Sequence, residues 1–100
     1  IGFRVQRKHC NARGLLHGGI VSAVADITLG YATSYAADPP QAQITAHLSV
    51  DFLGAAREGD WVEASLESSQ LGKRLVFGGC RLRTAEREVA RASAVFAVAA

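Results

Sequence analysis

The sequence predicts an α+β domain in which a curved antiparallel sheet wraps one long central helix. Two observations carry that reading. From about Gly19 to Ala37 the residues are apolar or small, follow a helical period and include a single charge, Asp26. After this stretch, four segments alternate apolar and polar residues and are separated by short turns. Short turns favour antiparallel pairing. A helix and a sheet that each carry an apolar face bury them against one another.

Taken in order, residues 3–9 read as a short strand with Phe3 and Val5 on one face. A loop leads from Cys10 to Leu16, and His17-Gly18-Gly19 forms a turn with a permissive backbone. In the helix, Ile20, Val24, Ile27 and Tyr31 fall at i, i+4, i+7 and i+11 and are expected to face the core. Tyr31 and Tyr35 are assigned to core packing in preference to lining an acyl tunnel. Ala23, Ala25, Gly30 and Ala32 keep the other faces thin, which suits a helix wrapped by a sheet. Asp38-Pro39-Pro40 ends it.

Gln43 to Leu53 is the first long strand. Strict alternation puts Ile44, Ala46, Leu48, Val50 and Phe52 on one face and Thr45, His47, Ser49 and Asp51 on the other. Trp61 to Gln70 follows, with Val62, Ala64 and Leu66 sharing a face. Residues 74–84 and 88–98 are the last two strands. Ala90, Ala92, Ala94, Phe96 and Val98 share a face of the final one.

One hundred residues, 49% of them hydrophobic, make a single domain over 1–100 with a modest core. A domain this small buries more surface by oligomerising. The net charge of +2 is too mild for a nucleic-acid footprint, and no nucleic-acid motif is present. Six of the eleven Lys and Arg residues lie between Lys73 and Arg91, a bias that suits an anionic ligand. No apolar run reaches the roughly 18 residues of a membrane span. The start has no signal-peptide pattern, so a cytoplasmic location is expected. Cys10 and Cys80 are expected to be buried free thiols. With His9, His17 and His47 they form no ligand motif, so no metal is expected.

The chemistry concentrates between Asn11 and Asp26. Gly18 and Gly19 open the helix, where the first N–H groups lack intrahelical partners and the helix dipole is positive. With no side chain in the way, a carbonyl oxygen could approach closely, as in an oxyanion hole. An ordinary loop-to-helix turn is the alternative at this point. Asp26 is the only charged residue from Gly14 to Ala37, so its surroundings differ from a solvated helix face, although a solvated aspartate is the alternative here too. Eight residues separate Gly18 from Asp26, roughly 12 Å along a helix axis. One carbonyl cannot touch both within one chain. If the two act together, they come from different subunits related by a two-fold axis, which gives two sites per dimer.

Asn11, Gly14, His17-Gly18-Gly19 and Asp26 together resemble the signature of hotdog-fold acyl-coenzyme A thioesterases of the phenylacetate-degradation (PaaI-like) type. Ala46 to Leu53 resembles that family's central strand, and the likeness extends over nearly the whole chain. The resemblance implies an acyl-coenzyme A thioesterase with the hotdog fold. It implies that Gly18 donates its N–H to the thioester carbonyl, with Gly19 beside it. Asp26 of the partner subunit would act as base or nucleophile. Asn11 would orient water or the carbonyl, His17 would support the loop, and Thr45 would assist the carboxylate. It further implies a homodimer that pairs into a homotetramer, and no cofactor, since coenzyme A is part of the substrate. Thr45 conflicts with simple alternation: if the site lies on the helix side, either the strand is irregular near its start or that face meets the partner subunit. Lys73, Arg74, Arg81 and Arg83 are the candidates for the coenzyme A phosphates, with Lys73 and Arg74 foremost. Where relatives often carry Pro after the central strand, this chain has Gly54-Ala55-Ala56. Two other readings fit the same fold: a non-catalytic acyl-coenzyme A-binding module, and a hydratase or dehydratase.

Overall fold

The computed structural model describes residues 1–99. Its elements are β1 (Gly2–Arg4), a 3-10 turn (Arg7–His9), α1 (Gly18–Ala36), β2 (Gln43–Phe52), β3 (Trp61–Leu71), β4 (Leu75–Arg83) and β5 (Glu88–Val98). The strands form one antiparallel sheet in the order β1-β3-β4-β5-β2, with α1 packed against it. This is the predicted architecture. The first strand is shorter than expected: after Arg4 the chain turns, with the Gln6 N–H donating to His9 Nδ1 at 2.9 Å. Among the described residues, no helix is long and apolar enough to cross a membrane.

The helix buries a different stripe from the one predicted. Val21, Ala25, Leu29 and Thr33 are its buried residues at spacings of four, with Thr28 beside them. Ile20 and Val24 are half-buried against the core, whereas Ile27, Tyr31 and Tyr35 are exposed. The tyrosines therefore do not pack in the core; their rings stack on each other, 6.1 Å apart. The physical reason is close approach. A Cβ on Gly78 of β4 would lie 3.1 Å from Leu29 and 3.2 Å from Thr33, so the sheet meets α1 where that strand has no side chain.

On β5, Ala90, Ala92, Ala94 and Phe96 are buried beneath the helix, and Val98 is half-buried, as the alternation predicts. Val62 and Ala64 of β3 join them, but Leu66 is exposed where a bulge between Leu66 and Ser68 interrupts the pairing with β4. Cys80 is buried on β4 and Cys10 is only half-buried; both are free thiols. Leu53 and Gly54 both donate their N–H groups to Val89 O, and a Cβ on Gly54 would fall 2.6 Å from Glu88 O. Proline has no N–H and could not make the Gly54 bond.

Candidate active site

The site begins with an irregularity in β2. Thr45 pairs with Phe96 and His47 with Val95, so Ala46 is an extra residue in a bulge. Such an insertion shifts the alternation by one. Gln43 and Thr45 before it, and Leu48, Val50 and Phe52 after it, oppose Val98, Phe96, Ala94, Ala92 and Ala90, the inner row of β5. Ile44 thus faces outward, 67% exposed, contrary to strict alternation.

The bulge brings Thr45 to Asp26. The Thr45 hydroxyl donates to Asp26 Oδ1 at 2.8 Å, and the carboxylate is half-buried at the middle of α1. Among the described residues Asp26 has no cationic partner. The pair opens into a cleft of about 410 Å³ between α1 and the start of β2, lined by Ile27, Gly30, Tyr31, Tyr35, Gln43 and Phe96 as well. Gln43 was missed in the sequence, since strict alternation with no bulge gives no reason to place it beside Asp26.

At the start of α1, His17 is the N-cap, and its Nδ1 accepts from the Gly19 N–H at 2.8 Å. That bond requires an unprotonated Nδ1. The Ile20 and Val21 N–H groups donate to His17 O. The Gly18 N–H has no acceptor among the described residues, so the orphan donor that the sequence suggests is free at Gly18 and taken at Gly19. Asn11 Oδ1 accepts from the Arg13 N–H at 2.9 Å and the Leu15 N–H at 3.2 Å, which holds the loop leading to Gly18. Asn11 and Gly18 line a second cleft of about 370 Å³ together with Phe52, whose ring lies against Gly18.

The structure thus joins Asp26 with Thr45 and Asn11 with Gly18, in two separate clefts. Lys73 and Arg74 lie in the β3–β4 turn, where Arg74 O accepts from the Val98 N–H, opposite Gln43. They are at the end of the sheet where β2 begins, away from Gly18. Arg81 is tied to Glu67 and Glu88, and Arg91 to Glu67, so part of the basic bias seen in the sequence is neutralised within the sheet.

Residues 13–91 match the family model of the thioesterase superfamily. The chain is 46% identical over 96 residues to "Putative esterase PA0474" of Pseudomonas aeruginosa, covering 96% of this chain and 72% of that protein. Its fold superposes on the E. coli PaaI protein of the phenylacetic acid degradation operon with a TM-score of 0.90 at 20% identity, covering 99% of this chain and 70% of that one. A hypothetical thioesterase of Streptococcus pneumoniae, solved with coenzyme A, gives 0.88 at 20% identity, covering 97% and 77%. That protein was also solved with a threonine and with an aspartate replaced by alanine. With one helix wrapped by a five-stranded antiparallel sheet and a family match over most of its length, the chain is a hotdog-fold member of the thioesterase superfamily.

Proposed function

We propose that the chain hydrolyses acyl-coenzyme A thioesters to the free acid and coenzyme A, with Asp26 as the working carboxylate and the Gly18 N–H as the oxyanion donor. The observation that carries this reading is the Thr45–Asp26 hydrogen bond at the mouth of a cleft. Thr45 occupies Oδ1 and fixes the carboxylate plane, leaving Oδ2 without a partner among the described residues. Water gives its proton to Oδ2 while its oxygen attacks the carbonyl carbon. Charge that develops on the carbonyl oxygen meets the Gly18 N–H at the positive end of α1. Collapse then breaks the C–S bond, the thiolate leaves with the electron pair, and the proton on Asp26 returns to it or to solvent. Direct attack by Oδ2, giving a mixed anhydride that water opens, uses the same groups.

Roughly 12 Å of helix separates Gly18 from Asp26, so the two clefts are halves of different sites. A homodimer with a two-fold axis would set Gly18 of one protomer against Asp26 of its partner. Two features support this reading. β2 is an edge strand with no fully buried residue, and exposed Ile27, Tyr31 and Tyr35 lie beside it. Pairing of two such dimers gives the homotetramer. Asn11 and His17 hold the Gly18 loop, and the Lys73–Arg74 turn is the proposed contact for coenzyme A phosphates.

The test is thiol release from a panel of acyl-coenzyme A esters by wild type and Asp26→Ala, with folding and oligomer size measured for both. The expected result is turnover by wild type and a loss of about 100-fold or more in a folded Asp26→Ala dimer. Binding of the esters without turnover by wild type would make the chain a binding module. Equal hydrolysis by both proteins would remove Asp26 from the mechanism.

A further inference from the structure

We infer that Gln43 is a positioning residue of this site: tied to Thr33 on α1, it sets the start of β2 so that the Thr45 hydroxyl meets Asp26. The inference rests on the proposed role of the Asp26–Thr45 pair. Its starting point is a relay of side-chain bonds one to two helical turns beyond Asp26. Gln43 Nε2 donates to Thr33 Oγ1 at 2.7 Å and to Gly30 O at 3.4 Å. The Thr33 hydroxyl donates to Leu29 O at 2.7 Å. A hydroxyl has one proton. With that proton committed to Leu29 O, Thr33 can only accept from Gln43, so the amide has one permitted orientation. Thr33 is fully buried, so the anchor is rigid.

That orientation leaves Gln43 Oε1 buried with no donor among the described residues. An unpaired buried polar atom is costly to stability and offsets what the two Nε2 bonds contribute. What the glutamine supplies is location. Gln43 and Thr45 lie on the same face of β2, two residues apart and before the bulge at Ala46. They make two side-chain ties from this edge strand to α1, Gln43 to Thr33 and Thr45 to Asp26. β2 has a neighbour on only one side within the chain, so sheet pairing alone holds it less firmly than an interior strand. Gly30 completes the arrangement. Its carbonyl receives the amide, and a Cβ there would make only ordinary contact with Phe96, so packing does not demand a glycine; its bare Cα keeps the cleft floor open.

The experiment is a double-mutant cycle on steady-state kinetics, using the acyl-coenzyme A that wild type turns over fastest. If Gln43 acts through Thr45, Gln43→Leu lowers kcat about tenfold with KM within about twofold, and Thr33→Val does the same while keeping the glutamine. In a Thr45→Ala background, Gln43→Leu then has less than a twofold further effect, because the contact it positions is gone. Melting curves of all variants separate these losses from unfolding. Multiplicative losses in the double variant, or a change confined to KM, would overturn the positioning role while leaving the thioesterase reading intact. Absence of turnover by wild type would remove both.

Discussion

β5 and β2 are paired side by side from Gln43↔Val98 to Phe52↔Ala90, yet they do different work. The inner row of β5, Ala90, Ala92, Ala94 and Phe96, is buried under α1. The inner row of β2 begins with Gln43 and Thr45, is half-buried or exposed throughout, and makes its first contacts with the helix through hydrogen bonds. The interior strand contributes hydrophobic burial. The edge strand contributes polar groups whose positions depend on a few specific bonds. β5 thus carries burial and β2 carries the groups of the proposed site, and substitutions in each should separate stability from turnover.

The largest expected effect is on β5. Phe96→Ala should lower unfolding free energy by about 3–5 kcal/mol, read from the denaturant midpoint at constant slope. A loss below about 1 kcal/mol would mean that β5 is not the strand that holds the fold.

The same interior should shape the response to alkali. Burial, and then the nearby Glu67 charge, push the Cys80 thiol from an ordinary 9.0 up to about 11. Below pH 9 the thiol is protonated in folded and unfolded chains alike, so the contribution is fully present. Between pH 9 and about 11 the unfolded chain loses its proton first, and stability falls with rising pH, by about 3 kcal/mol in all. Unfolding measured from pH 8 to 11 should show this decline in wild type and its loss in Cys80→Ala. Parallel curves would place Cys80 in a wetter environment.

The smallest effect belongs to β2. Thr45→Val keeps the side-chain shape and removes the bond to Asp26. Turnover should fall about tenfold, the equivalent of about 1.4 kcal/mol, with melting midpoint nearly unchanged. A large drop in melting temperature with unaltered turnover would reverse the assignment of β2 and β5.

Much of this was legible before folding. The helix boundaries, the four long strands and the residues of the glycine turn follow from periodicity and breakers, because these are local signals. The inward row of β5 is regular and could be read directly. The helix face could not, since Val21, Ala25, Leu29 and Thr33 repeat every four residues as plausibly as the stripe starting at Ile20. The buried stripe is the one that closes onto the bare Gly78 across the interface. Thr45 was identified by resemblance, against the alternation, and Gln43 was not identified at all.

The sequence by itself determined the element order, the fold class and the chemical inventory: a carboxylate in an apolar helix, a glycine pair at its start, a threonine on the next strand. The tertiary structure decided which of these groups meet. A bulge at Ala46 turns Thr45 toward Asp26, and His17 takes the Gly19 N–H while leaving that of Gly18 free. Pattern cannot supply these facts. A single extra residue reverses every side chain beyond it, and whether a donor is spare depends on where other chain segments put their acceptors.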